Sequence, residues 1–390
     1  MVRFPNCVIE NLLETNTKLT LNLFRNMVEH IINDVYLPGI RDSYPAVLEE
    51  LDGIAKGAAV SIEEIIMLNA RYDLARVRGK IQHSSDTQDD KNNGAHIGSE
   101  DAANECTSIY ISPEASATGD AFTAQNWDNA AHLYLNDTVI YLESHPSEDL
   151  PSIFAVTEAG QLVRSGINSN GLGLTANSLV STADFVPTSY TNTAGASVHV
   201  PTVPAVPISL LRRQFLESPT FATGLGSIQN GPRHVSMNVT VATSEGSGMC
   251  LEVMPDRIYR IHSKDGYVVH SNHFLHTGFL ARSDARDTYP GGSSWYRKER
   301  CEKGIEPYKK CGVSVERLIN SFKDHLGYPD SLCSHLHDAL LDKIQDPNSG
   351  PTLTIACVAY NLNQRTIRVC KGPPCEGVFQ DFRLRPSKSV

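Results

Sequence analysis

Apolar residues near the start of the chain recur at helical spacing. Leu19, Leu23, Phe24, Met27, Val28 and Ile31 form one stripe, and Val47, Leu48, Leu51 and Ile54 form a second. Each repeats every three or four residues, as one face of a helix does. Ser61-Ile-Glu-Glu64 then precedes Ile65, Ile66 and Leu68. Ser followed three residues later by Glu is a capping box, and it predicts the start of a third helix. Between 79 and 104 the chain turns to Ser, Asp, Asn, Gln, Gly and His. So little apolar surface does not offset the entropy of ordering, which predicts an exposed, mobile linker.

The pattern changes at Cys106, where Thr107, Ile109, Tyr110 and Ile111 begin a strand-like run. Further strands are predicted over Ala121–Gln125, Thr138–Glu143, Ile153–Thr157, Gly171–Ala176, Val235–Ala242, Cys250–Met254 and Ile258–Ile261. Near the end, Thr352–Tyr360 and Thr366–Cys370 flank a hairpin turn over Asn361–Arg365. Ile208–Leu216 and Val315–His325 read as helices, and Ser181–Pro204, rich in Thr, Ser, Ala and Pro, as an extended loop. Strands on both sides of helical blocks imply sheets in layers with helices outside.

Composition narrows the function classes. A net charge of −10 lacks the basic surplus with which nucleic-acid proteins release counterions, so no nucleic-acid partner is expected. No stretch approaches the length of a membrane helix, so no membrane span is expected, and the first residues carry no hydrophobic signal block. A cytoplasmic location follows as the expectation. The chain ends Pro386-Ser-Lys-Ser-Val390 rather than in a peroxisomal Ser-Lys-Leu type address. Nine cysteines, odd in number and without a CxxC pair, suggest free thiols rather than a disulfide framework or a zinc ribbon. Cys333-Ser-His-Leu-His337 has His335 and His337 two apart, which diverge on a helix, so neither metal nor other cofactor is expected.

Cys106 stands out by position, where a polar segment meets a strand, unlike Cys357 inside an apolar run. A thiol is a strong nucleophile only as the thiolate. Were the preceding bond cut, the freed α-amino group, with an ordinary pKa of about 8, would lie on the same residue and serve as its base.

Glu105-Cys-Thr-Ser108 followed by Ala124-Gln-Asn-Trp-Asp128 resembles the acyl-coenzyme A:6-aminopenicillanic acid acyltransferase family, also called the isopenicillin N acyltransferase family. Gly53–Ala58, Glu64–Asn69, Thr157–Gly160, Gly166–Gly171, Thr175–Leu179 and Val269–His273 extend the resemblance in the family's order. It implies an α+β fold, the four-layer αββα sandwich of N-terminal-nucleophile hydrolases. It also implies self-cleavage between Glu105 and Cys106. Residues 1–105 would then be a helical α subunit that stays bound as a heterodimer partner, and 106–390 the catalytic β subunit, in one integrated unit. The substrate would be a small-molecule amide or an acyl-CoA, with the acyl group carried on Cys106. Residue by residue, Asp128 matches a carboxylate near the new amine, Asn272 an oxyanion donor and Asn177 a second donor. Thr107 and Ser108 would orient the scissile bond.

Two departures keep a rival open. Glu105 stands where the penicillin enzyme has Gly, and Asn348-Ser-Gly-Pro351 where it has Ser-Arg-Gly-Ala. An uncleaved, catalytically silent relative with a binding or structural role is the alternative. A papain-like Cys-His hydrolase is a third, and no signature around Cys106 favours it.

Overall fold

The computed structural model describes residues 28–76, 106–146, 150–184, 188–191, 197–200, 203–289, 292–336 and 352–385. Most of the first apolar stripe, the linker 79–104, Glu105 and residues 348–351 lie outside these. The N-terminal helices are α1 (Leu37–Ser43, entered through a π-helical turn at Ile32–Tyr36), α2 (Val47–Ala58) and α3 (Ile62–Asn69). The expected capping box is present: Ser61 Oγ accepts from Glu64 N at 3.2 Å, and Ser61 N donates to the Glu64 carboxylate at 2.8 Å. Helical turns continue over 71–76.

Then come β1 (Cys106–Ile111), β2 (Phe122–Ala130), α4 (Ala131–Leu135), β3 (Val139–Ser144), β4 (Ile153–Glu158), β5 (Ser165–Asn168) and β6 (Leu172–Ser178). A short hairpin, β7 (Thr188–Thr191) and β8 (Ser197–Val200), follows. Next are α5 (Ile208–Leu216), α6 (Phe221–Asn230), β9 (Met237–Thr243), β10 (Gly248–Val253), β11 (Ile258–His262) and β12 (Tyr267–His270). The chain continues through α7 (Thr277–Leu280), α8 (Ser293–Ile305), α9 (Val315–Ser321), β13 (Thr352–Asn361), β14 (Thr366–Lys371) and β15 (Gln380–Arg383).

Two sheets dominate. One runs β12-β1-β2-β13-β14-β15 and the other β11-β10-β9-β6-β5-β4-β3, and every strand pairing in them is antiparallel. Alternation along each strand divides the core into three slabs. Cys106 and Tyr110 of β1, with Val358 and Tyr360 of β13, face Phe154, Val156, Ile167 and Ala242 of the second sheet. The intervening Ile109, Ile111, Cys357 and Ala359 face Cys301 and Ile305 of α8 and Leu318 of α9. The outer face of the second sheet, with Leu174, Val239 and Leu251, is covered by α1–α3 and α5 through Ile40, Leu51, Ile66 and Leu211. Helices, sheet, sheet, helices: this is the expected four-layer sandwich, and β1 is buried at all six positions because both its faces are covered.

Differences from the sequence reading have local causes. Within the loop expected across Ser181–Pro204, Thr188–Thr191 and Ser197–Val200 pair as the β7–β8 hairpin, because backbone pairing does not require an apolar run. The helix expected to reach His325 ends at Ser321, and its C-terminal part becomes a loop. Helix α8 was not expected: its sequence is largely charged, and few of its residues are apolar and buried.

Candidate active site

Pairing of β1 with β2 sets Cys106 opposite Trp127, with Asp128 one position on. Between Trp127 and Asp128 the β2–β13 ladder is irregular, its register shifting between Ala356 and Thr354. Such bulges re-aim side chains, and Thr354 Oγ1 donates to Asp128 Oδ1 at 2.6 Å.

Cys106 is wholly buried and gripped at three atoms. Its nitrogen donates to Asn272 Oδ1 at 2.7 Å, its carbonyl accepts from Arg297 Nη1 at 2.7 Å, and its sulfur accepts from Arg164 Nη2 at 2.9 Å. Arg297 reaches in from α8 and also donates to Thr107 Oγ1 at 2.9 Å and Asn272 Oδ1 at 2.9 Å. Both neighbours of that oxygen can only donate, which fixes the orientation of the Asn272 amide. Its Nδ2 then donates to Ser178 O at 3.0 Å, and its backbone nitrogen to Ser294 Oγ at 2.8 Å.

Arg164 precedes β5 and is itself buried. Its guanidinium stacks over the rings of Tyr72, at 4.9 Å, and Trp127, at 5.7 Å. Tyr72 comes from the N-terminal segment and is held by its hydroxyl, which donates to the Glu158 carboxylate at 2.7 Å. Arg71 pairs with the same carboxylate at 2.8 Å. Arg212 stands 6.0 Å from the Tyr72 ring, and burial together with Arg164 pushes it down to about 9. The guanidiniums of Arg71, Arg164 and Arg212 gather around the Tyr72 ring, opposed by the carboxylates of Glu158 and Asp73. Burial raises the Cys106 thiol pKa and the Asp128 carboxylate adds to the rise, while the Arg164 guanidinium and the Asp128 backbone N–H oppose it. An anionic sulfur is thus stabilised by a fixed cation and a charge-assisted hydrogen bond.

The structure brings Cys106, Thr107, Asp128 and Asn272 together. Asn272 turns its oxygen toward the Cys106 nitrogen, whereas the sequence reading assigned the action to its amide nitrogen. Asn177 lies deeper, where its Nδ2 is within 3.0 Å of Ser108 Oγ, 2.8 Å of His270 O and 3.0 Å of Ser271 O. Gln125 Nε2 donates to its oxygen at 3.1 Å. Asn177 and Ser108, which also meets Thr240 Oγ1 at 2.9 Å, thereby tie the two sheets together behind the site. Trp127 packs beneath the Arg164 guanidinium. Arg164, Arg297 and Tyr72 escaped the sequence reading. Arg164 lay between two quoted segments, Thr157–Gly160 and Gly166–Gly171, while Arg297 is one of several charged residues in α8.

Two stacked antiparallel sheets flanked by helices make the αββα sandwich of the N-terminal-nucleophile hydrolase fold, and Cys106 opens one of its strands. Residues 116–376 match the acyl-coenzyme A:6-aminopenicillanic acid acyl-transferase family, and the chain belongs to it. The 40 kDa form of the acyl-coenzyme A:6-aminopenicillanic-acid-acyltransferase of Emericella nidulans is 26% identical over 297 residues, 75% of this chain and 68% of that protein. Among solved structures, penicillin V acylase of Agrobacterium tumefaciens aligns over 71% of this chain and 86% of its own, at 13% identity and a TM-score of 0.41. A Caenorhabditis elegans ortholog of N-acylethanolamine-hydrolyzing acid amidase aligns over 66% and 93%, at 12% identity and 0.40. Among the described residues no helix is long and apolar enough to cross a membrane.

Proposed function

We propose that the chain is a self-processing cysteine amidohydrolase or acyltransferase that forms an acyl-enzyme on Cys106 from a small-molecule amide or an acyl-CoA. The grip on Cys106 carries this reading: nitrogen on Asn272, carbonyl on Arg297 and sulfur on Arg164. A structural cysteine needs no buried cation 2.9 Å from its sulfur.

In the precursor the Cys106 sulfur attacks the Glu105 carbonyl carbon. The C–N bond breaks, the nitrogen leaves as the α-amine, and water hydrolyses the thioester. Residues 1–105 and 106–390 then form the two subunits of one heterodimer. In the mature enzyme the sulfur attacks the substrate acyl carbon, and the new amine relays the proton to the leaving group. Asn272 Oδ1 and the Asp128 carboxylate hold and orient that amine. The acyl group passes to an amine acceptor in transfer or to water in hydrolysis. Arg164 stabilises the thiolate as the thiol gives up its proton to the amine.

Intact-mass analysis of the purified chain tests this. Two fragments, beginning at Met1 and Cys106, are expected, and Cys106→Ala is expected to stay full length. A wild-type chain that stays whole and reacts with no thiol-directed acyl probe would favour the silent alternative. Incubating the cleaved protein with an acyl-CoA, with and without an amine, separates transfer from hydrolysis.

A further inference from the structure

Four potential metal ligands converge on the face of the molecule behind Asp128. His325 follows α9, Cys333 and His335 lie on the loop beyond it, and Cys375 sits in the turn after β14. One ligand atom from each lies within 4.8 Å of all the others. His325 Nε2 is 3.1 Å from His335 Nε2, and Cys333 Sγ is 3.6 Å from Cys375 Sγ. His335 Nε2 is 3.5 Å from Cys333 Sγ and 3.3 Å from Cys375 Sγ. Tetrahedral zinc, with Zn–S of about 2.3 Å and Zn–N of about 2.0–2.1 Å, sets its ligand atoms ~3.3–3.8 Å apart. Four of the contacts already fall near that range. The sulfurs are far beyond the ~2.05 Å of a disulfide, and both cysteines are free.

From this arrangement we infer that His325, Cys333, His335 and Cys375 form a structural zinc site. Two thiolates neutralise a divalent cation, and the sulfur and imidazole donors match zinc rather than magnesium or calcium. Four protein ligands leave no open position for substrate, as befits a structural rather than catalytic ion. The orienting contact that metal-bound histidines use is also present: His335 Nδ1 lies 3.5 Å from the Glu376 carboxylate. Backbone bonds hold the loop in place, with Cys333 N donating to Asp324 O and His335 N to Pro329 O, both at 3.0 Å.

The site connects to the nucleophile. Ser334, between two of the ligands, donates its N–H to Thr354 Oγ1 at 3.0 Å and accepts from Thr354 N at 3.1 Å. Thr354 Oγ1 in turn donates to Asp128 Oδ1. Zinc at this position clamps the loop to the β14 turn and steadies the hydroxyl that orients Asp128. That coupling rests on the proposed function; the metal site does not.

Metal analysis of the full chain, purified reduced and without chelator, is expected to find about one zinc per chain, with nothing comparable in Cys375→Ser or His325→Ala. Cobalt substitution of the wild type should give the visible bands of a tetrahedral site with sulfur-to-cobalt charge transfer. If the variants fold poorly, alkylation of the wild type decides: zinc should shield Cys333 and Cys375, and a chelator should expose them. Reduced wild type that neither carries nor takes up zinc overturns the inference. So does a native Cys333–Cys375 disulfide in metal-free protein. Zinc bound to an otherwise inactive chain would sink the functional reading and leave the metal site standing.

Discussion

Replacing Arg164 with Gln keeps much of its shape and removes the charge 2.9 Å from the Cys106 sulfur. With the charge centred about 4 Å away and an effective dielectric of about 20, the lost attraction is about 4 kcal/mol. Measured charge-assisted hydrogen bonds are worth about 1.5–3 kcal/mol, and the lower figure suits a site where Gln still donates. The thiol pKa should therefore rise by about 1–2 units. A more basic thiolate is also a better nucleophile, with a Brønsted slope of about 0.4–0.5, so roughly half the loss in thiolate population is recovered. Acylation at neutral pH should fall about 3- to 10-fold. The assay is the pH dependence of Cys106 alkylation by a small neutral reagent, followed by mass spectrometry on Arg164→Gln, Arg164→Lys and the parent. Lys retains the charge but not the planar stack on Tyr72 and Trp127, so its midpoint should lie between the other two. A Gln midpoint equal to or below the parent's would refute the electrostatic argument, and Arg164 would then be a packing residue.

Three further outcomes are expected. The N-terminal helices bury Ile40, Leu51 and Ile66 in the same core as Leu174 and Val239. Fragments beginning at Met1 and Cys106 should therefore co-elute on size exclusion and part only in denaturant, while Leu51→Ala should cost about 2–5 kcal/mol in urea unfolding. Arg297→Gln removes a charged donor shared by the Cys106 carbonyl, Thr107 and Asn272. Self-cleavage should slow at least tenfold with little change in fold by circular dichroism, and an unaltered rate would remove Arg297 from the site.

Acid should destabilise the protein through His132, whose pKa burial, and then Arg71, push down from 6.5 to about 4. Between those values the unfolded chain binds more protons than the folded one, so stability is intact above pH 6.5 and is lost as pH falls toward 4. The loss is at most about 3 kcal/mol, less what solvent screens at a half-buried ring. Unfolding midpoints measured from pH 7.5 to 4.5 should fall less in His132→Gln than in the parent.

Local patterns determined a good deal of this protein. Alternating apolar positions located β4, β6, β9, β10 and β13 within a few residues, because a two-residue period is written in neighbouring side chains. Ser61 and Glu64 marked a helix start because both partners of the cap lie within one turn. The motif Glu105-Cys-Thr-Ser108 with Gln125-Asn-Trp-Asp128 pointed to Cys106 and Asp128, which β1–β2 pairing brings side by side.

Tertiary structure alone decided the rest. Arg164 and Arg297 reach Cys106 across separations of 58 and 191 residues, and no local period records such contacts. Asn177 and Ser108 turned out to join the sheets because the register of β6 against β9 and β1 against β12 sets where an amide can find acceptors. The same holds for the four metal ligands. Cys333 and His335 gave no sound metal spacing by themselves, and the folded chain supplies His325 and Cys375 from either side. Sequence carries propensity and short-range pairing; the convergence of charges and ligands on one point is fixed only when the layers close.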